Sequence, residues 1–348
     1  MRETRDAFPV TVVTGFLGSG KTTVLNTLMQ RPAMDRTLVL VNEFGEIGLD
    51  HDLVTQGGEN ATYVELSSGC LCCSIRGDLV ETLRYAPSRF ARNGQCWFDR
   101  VVIETTGLAD PAPILHTLMA EPSVARRFEL QGVVTVVDAA NGEATLEAHE
   151  ESIKQAAVAD TLLISKTDLA DDAALESLRG HLASLNPLAR RVLALHGDVD
   201  PAAVLALGLY DPDTKSAQVQ RWLQDQNAAI DHAHHAHDHH HHDVNRHSDD
   251  IRAFSIVRDD PIALMVLETW LDILRATLGE DLLRVKGILN IEGYARPVVI
   301  HGVQHILHPI DVLDEWPSED HRTRLVFITR GIDPANIEAM LDAFTGAT

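Results

Sequence analysis

Seven short Val/Ile/Leu-rich runs punctuate the first two-thirds of the chain, at 10–14, 38–41, 63–66, 101–103, 133–137, 162–164 and 192–195. Each is followed by a loop and a stretch with helical apolar spacing. Apolar strands alternating with helices predict a mostly parallel sheet covered on both faces. In such a sheet, functional side chains collect beyond the C-terminal ends of the strands. The pattern fades from about residue 211. Residues 231–250 are low in complexity, and nine of the 18 histidines lie between His232 and His247. That composition cannot pack a core and predicts a flexible linker. A second pattern follows. Residues 252–257 alternate like a strand, and 261–278 place apolar side chains at helical intervals. Runs 285–291, 297–303 and 324–328 predict strands, and 333–344 a closing helix. The economical assembly is a small α+β domain, an antiparallel sheet with helices on one side. The expected boundaries are 1–212, 213–250 for the His-rich linker, and 251–348. No internal repeat is present.

Composition narrows the functions. The 348 residues are 45% hydrophobic, enough for about two cores, and the net charge is −22. A nucleic-acid-binding face needs clustered Lys and Arg, and an acidic membrane surface would repel this chain. No apolar stretch reaches the ~18 residues of a membrane span, and Met1 to Asp6 lack an apolar signal core. The expectation is a cytoplasmic protein with neither nucleic-acid nor membrane partner. Its four cysteines are then better ligands or core residues than disulfides. The oligomeric state, monomer or homodimer, is left open by the sequence.

The first chemistry-bearing motif directly follows the first strand. Gly15-Phe16-Leu17-Gly18-Ser19-Gly20-Lys21-Thr22 spells G-x-x-x-x-G-K-T, a phosphate-binding P-loop between a strand and a helix. Gly15, Gly18, Ser19 and Gly20 supply the backbone amides that curl around phosphates. Lys21 reaches the outer phosphates, the Thr22 hydroxyl binds Mg²⁺, and Thr23 continues the loop into the helix, whose N-terminal dipole faces the anion. The fold class is therefore α/β: a P-loop NTPase domain with a mostly parallel sheet, plus the small α+β C-terminal domain. Glu104 ends the strand at 101–103, where a carboxylate holds the Mg²⁺ shell through water, and Gly107 offers its N–H to the γ-phosphate. Lys21, Thr22, Glu104 and Asp50 are the expected catalytic set. Ser165-Lys166-Thr167-Asp168 resembles the guanine-reading N-K-x-D, with Ser165 in place of Asn. An Asp168 carboxylate accepts from the guanine N1–H and 2-amino group, a donor pair that adenine lacks, so GTP is preferred over ATP. His196, after the last strand, occupies the expected final base-contacting loop.

The second constellation is Cys70-Leu71-Cys72-Cys73, three thiols in four residues. Thiolates bind Zn²⁺ or Cu(I) strongly. Three ligands leave the site incomplete, with the fourth from Glu43, His116, solvent or a partner. An incomplete site suits delivery better than permanent structure. The acid-rich, glycine-punctuated run 42–50 places Glu43 as the first-choice carboxylate near the thiols and Asp50 within reach of the nucleotide's metal or water. Cys96 stands alone as a core or surface thiol. The tract containing His234, His235, His239 and His240 reads as a low-affinity metal buffer. His301, His305 and His308 read as partner-surface or core residues.

Taken together, G-F-L-G-S-G-K-T-T, V-N-E-F-G-E-I-G-L-D, S-S-G-C-L-C-C-S-I, E-T-T-G-L-A-D-P and S-K-T-D-L resemble the CobW family of P-loop GTPases, relatives of the urease and hydrogenase nickel-insertion GTPases. K-G-I-L-N-I-E-G and R-L-V-F-I-T-R-G-I-D are similar to that family's C-terminal domain. The resemblance implies a metallochaperone. GTP and Mg²⁺ order a switch, Cys70, Cys72 and Cys73 help to hold a transition metal, and hydrolysis releases it to a client metalloprotein. Zinc is the commonest expectation. Cobalt for cobalamin synthesis and metal insertion into nitrile hydratase are the family's other roles. The motifs contain neither an arginine finger nor a water-positioning glutamine, so slow intrinsic turnover is expected. Two competing readings are a P-loop kinase with incidental cysteines, and a metal store built on the His tract with the nucleotide site regulatory.

Overall fold

The computed structural model of the chain describes residues 7–41, 62–65, 73–205, 251–307 and 310–345. They divide into two compact units, one of 7–180 with 189–205, the other built from 251 onward with the short stretch 181–188.

The first unit runs β1 (Phe8–Thr14), α1 (Lys21–Met29), β2 (Thr37–Val41), β3 (Thr62–Glu65), α2 (Cys73–Arg89), β4 (Ala91–Arg92), β5 (Gln95–Cys96) and β6 (Arg100–Glu104). It continues through α3 (Ala112–Ala120), α4 (Pro122–Ala125), β7 (Phe128–Asp138), α5 (Gly142–Ala148), α6 (Glu150–Ala157) and β8 (Thr161–Ser165). The helix α7 (Asp172–Leu185), whose residues 172–180 belong to this unit, β9 (Arg190–Ala194) and α8 (Ala202–Leu205) close the series. Seven strands form one sheet in the order β3-β2-β6-β1-β7-β8-β9, and every pairing is parallel. The apolar runs explain this. Val10, Val12, Val102, Val133 and Leu163 are fully buried, as strands covered on both faces require. All seven predicted strands form. The alignment of strand ends positions the site: Val13 pairs with Glu104 and with Val134, and Asp138 pairs with Ser165. The P-loop, Glu104, Asp138 and Ser165 therefore lie together at the C-terminal ends of four adjacent strands. The small β4–β5 hairpin lies outside the predicted elements, although Asn93-Gly94, both at positive φ, is the sequence signal for a two-residue turn.

The second unit comprises β10 (Ile251–Arg258), α9 (Leu264–Leu278), β11 (Leu282–Leu289), β12 (Val298–Val303), β13 (Ile306–Leu307), β14 (Asp311–Val312), β15 (Thr323–Arg330) and α10 (Pro334–Thr345). Its sheet is antiparallel, ordered β10-β15-β11-β12-β13 with β14 also on β12. Trp270 and Leu274 of α9 and Ile337 and Leu341 of α10 pack on Phe327, Val285 and Ile300 on one face, as expected from the periodicity. The Trp270 ring meets Phe327 edge-on at 6.1 Å, a favourable aromatic geometry. Leu313 and Trp316 cover Ile288 and Val299 in a separate small cluster. The predicted helix at 261–278 starts three residues later than its periodicity suggests. Ile262 instead exchanges main-chain hydrogen bonds with Asn290 and Glu292, so tertiary pairing holds 261–263 extended. The two-residue strands β13 and β14 are too short for alternation to reveal.

Candidate functional site

The P-loop geometry begins with backbone sterics. Gly15 has φ +140°, and a Cβ there would lie 2.3 Å from the Val136 carbonyl oxygen. Only glycine allows the loop to leave β1 this close to β7. α1 starts at Lys21, after Gly20 in the left-handed region, so its first free amides face the loop. Lys21 is buried, and its Nζ donates to the carbonyls of Gly15 (2.9 Å) and Phe16 (3.2 Å). The ammonium thus sits over the bowl that the loop forms.

Thr22 and Glu104 meet at the rim. The Thr22 hydroxyl donates to Glu104 Oε1 at 2.8 Å, and Glu104 is only 5% exposed. A hydroxyl and a carboxylate so juxtaposed fit a hard divalent cation, with the hydroxyl as direct ligand and the carboxylate as acceptor for its water shell. Gly107 closes the opposite side. A Cβ on it would lie 2.6 Å from the Leu17 backbone nitrogen, so the turn lies directly against the P-loop. Lys21, Thr22, Glu104, Gly107 and Val41 line a single cleft of about 540 Å³.

Beside it, Asp168, His196, Gly197, Lys166 and Thr23 line a pocket of about 180 Å³. His196 Nδ1 is 3.7 Å from Asp168 Oδ2, so the two sequence-predicted base contacts do converge. Ser165 behaves differently from the expectation of a nucleotide contact. It is buried, and its hydroxyl donates to the Ser19 carbonyl at 2.6 Å and lies 3.3 Å from that of Val137. It ties the base loop to the P-loop from behind.

Sequence reasoning passed over Asp138, although an acid ending an apolar strand is the signal that singled out Glu104. Asp138 Oδ2 accepts from Lys166 Nζ at 2.7 Å and from Asn141 Nδ2 at 3.1 Å. Burial pushes this carboxyl up, but the hydrogen bonds from Lys166, Asn141 and the Ala140 amide outweigh it and hold it below the usual carboxylate range. A depressed folded-state value means the stabilisation is complete above the unfolded value of about 4 and is lost as pH falls through the folded one. At neutral pH the pair is intact, and Lys166, at φ +53°, is anchored between the two pockets. Replacing Asp138 by Asn should raise the Kd of GTP and GDP alike, by roughly three- to tenfold at pH 7.5, about 1 kcal/mol, because the amide still accepts from Lys166 and only the charge assistance is lost. Equilibrium titration with both nucleotides checks this; a change in only one of them would contradict it.

Glu43, Asp50, Cys70, Cys72 and the histidines 234, 235, 239 and 240 lie outside the described residues, as does His308. Cys73 opens α2. His116 lies half-buried on α3. His301 is buried on β12 and His305 is exposed beside it. Cys96 is half-buried; burial pushes its thiol up, and the thiol donates to the Phe98 carbonyl at 3.3 Å, which favours the protonated form over the nucleophilic thiolate. Among the described residues, no three His, Cys, Asp or Glu side chains group as a metal site, and no helix is long and apolar enough to cross a membrane.

Residues 9–192 match the family model described as CobW/HypB/UreG, nucleotide-binding domain, and residues 251–345 match the cobalamin synthesis protein cobW C-terminal domain. The zinc chaperone YjiA of Escherichia coli (strain K12) is 31% identical over 338 residues, covering 97% of this chain and 98% of its own. The zinc-regulated GTPase metalloprotein activator 1 of Schizosaccharomyces pombe is 32% identical, covering 94% of this chain and 84% of its own. The crystal structure of Zn(II)-bound YjiA GTPase from E. coli superposes with a TM-score of 0.70 at 25% identity, covering 97% of this chain and 99% of that one.

Proposed function

The chain belongs to the CobW/HypB/UreG family, and from that premise we propose that it is a cytoplasmic GTP-hydrolysing metallochaperone that carries zinc to a client metalloprotein. The observation that carries this reading is the place of Val41. It ends β2 on the wall of the phosphate cleft, and Glu43 follows two residues later. The acid expected to join Cys70, Cys72 and Cys73 around the cargo is thus next but one in sequence to a residue of the nucleotide cleft. Relatives that extend over the whole chain and are named as zinc chaperones support the cargo.

In this reading, Asp168 selects guanine and the P-loop amides with Lys21 hold the phosphates. Thr22, and Glu104 through a water shell, would hold Mg²⁺, which would supply charge neutralisation to the phosphates. The Gly107 N–H meets the γ-phosphate, so the turn gains one further hold while that group is bound and loses it on hydrolysis. Loss of the γ-phosphate releases such loops, and a metal site linked to them changes affinity with the nucleotide, reciprocally. Intrinsic turnover is slow. The described lining of the cleft holds no arginine, and its glutamine, Gln30, lies nine residues along α1 from Lys21, about 13 Å at helical rise.

Zinc and cobalt titrations against a competing chelator test this, with Mg-GDP and with a non-hydrolysable Mg-GTP analogue. Zinc affinity should differ at least tenfold between the two nucleotide states. The difference should vanish in Cys72→Ser and survive deletion of 231–243. Affinity indifferent to nucleotide and to Cys72 would overturn the delivery mechanism. Loss only on deleting the tract would make the protein a metal store.

A further inference from the structure

Gln155 belongs to none of the motifs, yet it is completely buried on α6. Its Nε2 donates to two main-chain carbonyls 46 and 48 residues away, Ala109 at 3.0 Å and Gly107 at 3.2 Å. Its Oε1 is buried without a hydrogen-bond partner. The amide orientation is therefore dictated by the two carbonyls, since a flip would face Oε1 against both. An orphaned buried oxygen carries a cost, accepted here to grip this turn.

The turn so held is the one expected to read the γ-phosphate. It is closed by the Ala109 N–H donating to the Thr106 carbonyl at 3.1 Å. One side of Gly107 faces the Leu17 backbone too closely for a Cβ, and Gln155 holds its carbonyl. Gly107 is thus clamped between the P-loop and α6. The helix is itself pinned. Thr135 of β7 donates to the Gln155 carbonyl at 2.6 Å, and His149, just before α6, stacks on Phe16 of the P-loop at 4.4 Å.

We propose that Gln155 is the positioning residue that fixes the 106–109 turn for γ-phosphate recognition and hydrolysis. This rests on the reading of the cleft as a GTPase site. Gln155 acts by holding the Gly107 carbonyl and so fixing the turn in which the Gly107 N–H, one peptide earlier, serves the transition state; its removal therefore separates catalysis from binding.

The test compares the full-length wild type with Gln155→Met, which keeps the side-chain length but removes the donors, and with Gln155→Glu, which keeps the shape and replaces Nε2 by oxygen. Steady-state GTP hydrolysis, GDP affinity and hydrogen exchange of the peptide spanning 105–112 are measured for each. Both variants should lose roughly ten- to a hundredfold in kcat, the effect of two lost hydrogen bonds. KM for GTP and Kd for GDP should stay within about threefold. The extra protection of 105–112 in the GTP-analogue state over the GDP state should disappear. Unchanged kcat in either folded variant overturns the proposal. So does a fall in kcat matched by equal losses of GTP and GDP affinity, which marks a general structural role. If the Gln155→Met protein fails to fold, the Gln155→Glu variant and the exchange measurement decide. Absence of GTP hydrolysis in the wild type would instead refute the underlying GTPase reading, which separates the two failures.

Discussion

Lys21→Ala is expected to lose about a thousandfold in affinity for both GTP and GDP while remaining folded. The ammonium is buried over the loop, 2.9 Å from the Gly15 carbonyl, and no other residue of α1 carries a positive charge. Charge-assisted hydrogen bonds contribute about 1.5–3 kcal/mol each. Two phosphate contacts therefore amount to about 4 kcal/mol, or nearly three decades. Folding should be spared, because the core face of α1 is Val24, Leu25 and Leu28, each 1% exposed, and none of them changes. Titration with a fluorescent guanine nucleotide, alongside a thermal melt, reads both quantities. Retained micromolar affinity would mean that the phosphates lie elsewhere.

Asp168→Asn should invert base preference. Guanine presents two donors to the carboxylate. Asparagine presents one acceptor and one donor, so one hydrogen bond is lost and a donor faces a donor. GTP affinity should fall at least a hundredfold, since an unmatched polar pair in a pocket costs about 3 kcal/mol or more. Xanthine carries N1–H beside a 2-oxo group, which complements the amide, so XTP should bind the variant better than GTP does. Competition among GTP, XTP and ATP reads this directly. If GTP and ATP weaken together, Asp168 shapes the pocket without reading the base. His196, 3.7 Å from Asp168, supplies a control. It is largely exposed, with 74% of its side chain in solvent, and its replacement by Ala should leave the preference for guanine in place.

Both predictions rest on a site assembled from distant parts of the chain, and those parts were legible to different degrees. The P-loop was readable because its geometry is local. Glycines at fixed spacing allow positive φ, and a lysine and threonine follow at the helix start. The sheet was readable because strands buried on both faces must be largely apolar, and the central residues of β1, β6, β7 and β8 are mostly buried valine, isoleucine and leucine. The second unit was readable because one face of α9 and alternate residues of its strands bury together. Asp168 was legible as a candidate for a different reason: it follows the end of an apolar strand at the spacing of S-K-T-D, which is visible in one dimension.

Other features were settled only by packing. Ser165 stands where a base contact was expected, but β8 delivers its hydroxyl to the carbonyl of Ser19, 146 residues earlier. Ile262 carries a helical pattern, yet main-chain bonds to Asn290 and Glu292 hold it extended. Asp138 and Lys166 are 28 residues apart and meet because β7 and β8 pair in register. Gln155 is an ordinary helical residue in sequence, and it grips Gly107 only because α6 lies over the end of the sheet. Strand–helix alternation, the phosphate loop, the acids at strand ends and the thiol cluster are written in the chain itself, since each depends on residue type and short spacing. Which polar groups hold the loops in place is a property of the packed molecule, because a hydrogen bond between segments far apart in the chain leaves no periodic or local trace in either of them.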